Sequence, residues 1–355
     1  GNGTFTSVKT ITSKAADIGA VGADVIKALG LAATDAAVTI TGAISAAEAN
    51  AIAAVADGKV TATITAADAN TLATTLVGAA VTDALNITVN GATATALNLI
   101  TLYGKTSLKI TVDAAKVTGS FADLKDIYVT NKSKFTALGN ENVDITGPTV
   151  ASDVNTILKA TTGVVTAAVT DTAANLVANL KDANANDALT LTVTGMASAK
   201  DLLTLVNKTS KNLVTTGVTT ITGTAAEVKK VYDTLKTGVV GDEDITLTGT
   251  VKAVDANYIL GSTSGVGVVT ATIADDTAAN LNNTLTNASA TDKLKLTVNG
   301  ATASATALNS LATKTSLAIK VDAKEITGTG ADLAALYGNV KFADLGNENV
   351  KIDSG

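Results

Sequence analysis

Apolar and polar positions alternate in short runs along this chain, and each run gives way to a stretch with apolar residues at i, i+3, i+4 and i+7. Alternation with a period of two predicts half-buried strands, and the longer period predicts one-sided helices. Strands are expected to begin near Val38, Val60, Leu85, Leu108, Val143, Val165, Leu189, Ile245, Val269, Leu294, Leu317 and Val350. The segments that follow them, such as AAEANAIAAVA, ATALNLITLYG, TAANLVANLKDA and AEVKKVYDTLK, read as short helices. Most strand starts lie 22 to 25 residues apart, with a longer unit of about 35 closing each set, and the register is hard to fix around Val218 to Gly223.

These units are themselves copied. VTATITAADANTLATTL from Val60 returns as VTATIADDTAANLNNTL from Val269, and LGNENVDITG from Leu138 returns as LGNENVKIDSG from Leu345. Val38, Val143, Ile245 and Val350 are separated by 105, 102 and 105 residues, and Asn70, Asn175 and Asn280 by 105 each time. The long repeats are 38–142, 143–244 and 245–349, with partial repeats at 1–37 and 350–355. One strand and one helix per short unit is the signature of a solenoid. The expected fold is a right-handed α/β solenoid resembling leucine-rich repeats, with parallel strands on one face and helices on the other. It runs through residues 1–355 as one body, on the order of 60 Å long at ~4.8 Å per strand.

A parallel β-helix is the alternative, with three strands per turn and no capped helices. Six helix starts argue against it: Ser45-x-x-Glu48, Thr65-x-x-Asp68, Ser120-x-x-Asp123, Ser198-x-x-Asp201, Thr224-x-x-Glu227 and Thr329-x-x-Asp332. In each a hydroxyl can accept from the third helical amide while the acid reaches back to the cap. That gives these acids a structural task. Asn50, Asn70, Asn155, Asn175, Asn257 and Asn280 fall within helices at repeating positions and are expected to bond the backbone of the next unit. Asp83, Asp187 and Asp292 recur just before strands and read as turn residues.

Composition narrows the chemistry. The chain lacks Cys, His, Trp, Arg and Gln; its 26 basic residues are all Lys, set against 32 Asp and Glu for a net charge of −6. Triads built on His or Cys, zinc sites of the Cys/His kind and Arg clamps on phosphate are excluded. An acidic chain with 3% aromatics is a poor nucleic-acid binder. The most apolar stretch, Ala43 to Val60, carries Glu48, Asn50, Asp57 and Lys59, so membrane insertion is not expected. Every notable acid recurs with the repeat, whereas catalytic sites are singular, so the chain does not read as an enzyme.

Two features remain as candidate ligand sites. Turns rich in oxygen donors place Glu141 and Asp144, then Asp242, Glu243 and Asp244, then Glu348 before equivalent strands, and calcium is the cation such donors would take. T-x-T strands, including Thr39/Thr41, Thr61/Thr63/Thr65, Thr190/Thr192/Thr194 and Thr270/Thr272, suggest an ice-binding face as a rival function. At the two ends, Phe5, Val8 and Ile11 and then Val350 and Ile352 belong to partial repeats without polar caps, which points to head-to-tail stacking or to neighbouring repeats of a longer chain.

The phrases TAAEVKKVYDTLK, LGNENVDITG, ASDVNTILKATTGVVTAAVT and ITGTAAEV resemble the tandem repeats of very large secreted surface proteins of bacteria, notably cyanobacteria, and the likeness covers nearly the whole chain. The resemblance implies export, residence at the cell surface and a part in surface layers, filaments or adhesion. Some of those relatives carry calcium-binding nonapeptides, and this chain has none. The expected function is therefore a self-assembling extracellular structural protein, with an adhesin stalk as the nearest alternative.

Overall fold

The computed structural model describes residues 10–18, 36–235, 241–263, 267–342 and 344–353. The chain forms two compact bodies, Gly1–Val169 with Leu180–Leu189, and Thr170–Asn179 with Thr190–Gly355. Both have an α/β architecture in which parallel strands alternate with short helices.

In the first body, strands pair with strands one unit further along the chain. Ile11 lies opposite Val38, Val38 opposite Val60, and Ala62 opposite Leu85. A second row joins Ala67, Val89 and Val112, and a third joins Ala94, Val117, Val143 and Val165. The second body repeats the pattern, with Ile221, Ile245 and Val269 in one row and Ala303, Ile326 and Val350 in another. Within each body, successive helices pack on one another in chain order.

The units are richer in strand than expected. Ala84–Asn86, Thr88–Asn90 and Ala94–Thr95 all precede the single helix Ala96–Tyr103, so one unit holds three strand pieces and a helix. The apolar Ile87 between the first two pieces continues the alternation, which makes them read as one strand. The strands predicted at Leu108 and Leu317 begin later, at Ile110 and Lys320. The ambiguous region is the strand Val214–Gly223, whose pairing with Ala188–Ser198 slips register twice. The long unit of the first repeat is explained by its helix: Phe121–Lys125 continues as a π-helix, Asp126–Thr130, and then a 3-10 turn.

The core follows from small side chains. In the strand Val60–Ile64 the residues Val60, Ala62 and Ile64 are buried, with Thr61 half-buried and Thr63 exposed. The helix Ala46–Ala53 buries Ala46, Ala49 and Ile52. Strand and helix approach so closely that a Cβ on Gly119, Gly223 or Gly328 would lie 2.9 Å from the Cβ of Ala96, Ala199 or Ala305. Glycine against alanine, repeated three times, sets the spacing between neighbouring units where strand gives way to helix.

Five of the six predicted caps form. Ser45 and Thr224 make complete capping boxes with Glu48 and Glu227. Ser120, Ser198 and Thr329 accept from the amides of Asp123, Asp201 and Asp332. Thr65 does not cap, because the strand piece Ala67–Asp68 intervenes and Asp68 itself accepts from the Thr71 amide at 2.9 Å. Hydrogen bonds at the caps hold Glu48, Asp68 and Glu227 below the usual carboxylate range. Groups depressed in the folded state favour folding above their ordinary pKa, and the benefit fades as pH falls through the depressed value.

The asparagines divide. Asn50, Asn155 and Asn257 bond the next unit as expected, accepting from the amides of Gly78, Asp182 and Asn287 at 2.6, 2.8 and 2.8 Å. Asn70, Asn175 and Asn280 do not: they are exposed in the first helical turn, where Asn175 and Asn280 donate to Asp171 and Asp276 of their own unit. First-turn side chains face solvent here because the buried positions are taken by Ala69, Ala173 and Ala278.

Buried carboxylates tie the units together. Asp83 accepts from the Val60 amide, 23 residues earlier, and from the Ala80 amide of its own turn, both at 2.8 Å. Asp187 does the same for Val165 and Asn184, and Asp292 for Val269 and Ser289. These turn residues are thus clamps between neighbours. Replacing Asp292 by Ala strands the buried Val269 amide and removes the acceptor of the Ser289 amide, which should cost about 2–3 kcal/mol, with Asn recovering part of the loss. Urea unfolding and amide exchange at Val269 read the effect; an unchanged exchange rate at Val269 would contradict the clamp.

Candidate functional site

The oxygen-rich turns begin with Gly-x-Glu: Gly139 to Glu141, Gly241 to Glu243 and Gly346 to Glu348. In each, the glycine amide donates to the glutamate two residues on, at 2.8, 2.7 and 2.7 Å. Gly139 and Gly346 hold φ of 131° and 140°, which a side chain would resist. The glutamate folds back onto its own turn.

A tyrosine from the preceding helix faces each carboxylate. Tyr128 donates to Glu141 at 3.2 Å, and both residues are buried. Burial, and then the charge of Glu141, push the Tyr128 hydroxyl far above its ordinary pKa. Burial and the charge of Glu243 raise Tyr232 in the same way, and burial with Glu348 raises Tyr337. All three hydroxyls stay protonated at neutral pH and serve as uncharged neighbours of a carboxylate.

The remaining candidate calcium donors spread along the strands. Asp144 is half-buried opposite Thr166, Asp242 is exposed, and Asp244 accepts from the Val268 amide of the next unit at 2.9 Å. Among the described residues no group of three or more carboxylates converges on one point. A shallow cleft of about 340 Å³ opens beside the first turn, lined by Asp113, Ala137, Asn140 and Glu141, where Glu141 is already engaged by Gly139 and Tyr128. The threonine rows are short: Thr39 and Thr61 stand beside Ala84, and Thr246 and Thr270 beside Lys293.

What these turns do in common is receive the next unit. A Cβ on Gly163 would collide with the backbone carbonyl of Glu141, and one on Gly267 with that of Glu243. The intervening residue then donates its amide to the side chain after the glutamate: Val164 to Asn142 at 3.0 Å and Val268 to Asp244 at 2.9 Å. The Thr161 hydroxyl also donates to the Glu141 carbonyl at 3.0 Å. Gly163 and Gly267 were not singled out by the periodicity, although their separation of 104 residues marks them as equivalent.

Of the predicted end residues, Phe5 and Val8 lie outside the described residues. Ile11 is half-buried and pairs with Val38. Val350 and Ile352 are 49% and 69% exposed, whereas Val143 and Ile145 are 1% and 4%, and Ile245 and Leu247 are 0% and 6%. Tyr337 is 43% exposed where Tyr128 and Tyr232 are buried. The third turn thus carries the same residue types at greater exposure.

No family model matches the chain, and no curated protein or solved structure shows significant similarity to it.

The close fit at Gly163 predicts that Gly163→Ala costs roughly 2 kcal/mol, since its Cβ meets backbone and cannot be relieved by a rotamer change. Gly330→Ala provides the contrast. Nothing lies within 4 Å of a Cβ there, and it begins the helix Gly330–Tyr337, so the change should be neutral or slightly stabilising. Equal losses at both sites in thermal denaturation would show that Gly163 is not a contact point.

Proposed function

We propose that the chain is an extracellular structural protein of α/β solenoid form that assembles head to tail into a surface layer or fibre. The reading of export and surface residence rests on the resemblance of its repeats to those of secreted bacterial surface proteins. The solenoid reading rests on rows of parallel strands that pair at a near-constant spacing, such as Val38 to Val60, Val143 to Val165 and Ile245 to Val269. Such units carry apolar faces that only a neighbour can cover.

The observation that carries assembly is that a receiving strand is completed by the unit beside it: Val143 and Ile245 stand opposite Val165 and Val269 and are buried. In the proposed contact the strand Asn349–Ile352 of one copy pairs with the strand Thr10–Lys14 of a second. Because the two surfaces differ, the contact does not close on itself and propagates.

Sedimentation velocity and negative-stain microscopy of the purified chain test this. Concentration-dependent oligomers or filaments are expected, and Val350→Asp with Ile352→Asp should return them to monomers with an unchanged melting temperature. Monomers at all concentrations, with or without calcium, would rule out assembly by this chain.

A further inference from the structure

We propose that Asn90 and Asn299 are sites of spontaneous covalent modification, at which the amide of the following glycine attacks the side chain and leaves an aspartyl or isoaspartyl residue. The inference is independent of the assembly reading.

Three conditions favour that step: a carboxamide that nothing holds, a following residue without a Cβ, and a main-chain nitrogen with no acceptor of its own. Asn90-Gly91 and Asn299-Gly300 lie in matching TVNGAT phrases, and all four residues are exposed. A further such pair, Asn2-Gly3, lies outside the described residues. Gly91 and Gly300 hold φ of 103° and 117° just past the strands Thr88–Asn90 and Thr297–Val298. Among the described residues no hydrogen bond engages either glycine amide or either asparagine side chain.

Several other asparagines are held. Asn309, followed by Ser310, lies in the helix Ala305–Leu311 and donates to the Asp332 carbonyl at 3.0 Å. Asn155 donates to Asp182 at 2.8 Å, and the Asn287 side chain donates to the Asn257 carbonyl at 3.1 Å. The middle repeat supplies the contrast, with Thr194-Gly195 at the equivalent place and Gly195 at a φ of 72°. The turn demands the glycine. The asparagine before it belongs to the first and third repeats alone.

In the first step the glycine nitrogen bonds the asparagine Cγ, the Cγ–Nδ2 bond breaks, and ammonia leaves with the proton of the attacking nitrogen. A five-membered imide results. Water then opens it at either carbonyl, giving aspartate or, where the main chain is rerouted through the side chain, isoaspartate. No oxidant or reductant takes part. The attacking nitrogen must shed its proton, so the rate rises with pH.

The two sites differ in their flanks. Asn90 stands opposite Asp68, and Asp113 on the other side donates its amide to the Val89 carbonyl at 2.7 Å. A new carboxylate at position 90 therefore has an acid on both sides, and like charges facing across strands weaken the pairing. Position 299 has Asp322 on one side, donating to the Val298 carbonyl at 2.7 Å. On its other side the place of Asp68 is taken by the neutral Thr277: a Cβ on Gly300 would lie 3.5 Å from Thr277 Cγ2, and one on Gly91 3.6 Å from Asp68 Cβ.

The test incubates the full chain at neutral and mildly alkaline pH and follows each asparagine by peptide mapping that separates aspartyl from isoaspartyl products. Conversion at Asn90 and Asn299 should run roughly tenfold faster than at Asn309, whose following serine carries the Cβ that glycine lacks, and should quicken with pH. Conversion no faster than at Asn309 in the folded chain would overturn the sites, and a fast rate restored by urea would assign that failure to the fold. Ion exchange then separates the aged forms. The form converted at position 90 should melt earlier than the form converted at 299, and Asn90→Thr, which copies Thr194 of the middle repeat, should remove the early-melting form. Equal melting of the two forms would refute the contrast between their flanks.

Discussion

A strand–helix unit of this size cannot satisfy itself, and several recurrent polar contacts in the structure answer that constraint. Its strands are too short to form a sheet alone, and its helices, seven to ten residues in most units, are too short to persist without packing. Each unit therefore reaches to a neighbour. Asp83, Asp187 and Asp292 reach back to the first amide of the preceding strand, and Asn50, Asn155 and Asn257 accept an amide from the following turn. Lys105 and Lys314 donate to the carbonyls of Val77 and Leu285, just past or at the end of the preceding helix, where the negative end of the helix dipole favours a cation. Stability arises between units, as a sum of neighbour terms.

The same constraint explains which parts of the molecule could be read from the sequence. Strand starts and helix caps depend on residues close in the chain, so alternation and the Ser/Thr-x-x-acid pattern locate them well. Thr65 is the instructive failure: its pattern is complete, but a two-residue strand piece paired with Val89 and Asn90 delays the helix to Ala69. That pairing depends on a partner 22 residues away, which no local pattern contains. The asparagines show the limit again. Asn50 and Asn70 look alike in composition and setting, yet one accepts from the next unit and the other faces water. Helix phase relative to the sheet decides between them.

The receiving turn was legible as a motif, and the structure adds a use for its glutamate that the motif does not show. Gly-Asn-Glu-Asn and Gly-Asp-Glu-Asp have the donor density of a cation loop, but the first glutamate oxygen to be used is claimed by an amide of the same turn. The glutamate closes its own turn, and in the first copy Tyr128 adds a neutral donor to it. Equally, the role of Gly163 and Gly267 is written only in the structure, because it concerns an approach of backbone to backbone between units.

Repetition carries this geometry into the third copy as well. Proteins usually blunt exposed strand edges with charge, proline or a covering loop. The strand Asn349–Ile352 carries one such charge, Lys351, at the position held by Asp144 and Thr246 in the equivalent rows. Val350 and Ile352 keep the apolar character of their buried counterparts, and Asn349 keeps the acceptor. The alternation of the repeat is kept at 350 and 352 as it is at 143 and 145 and at 245 and 247.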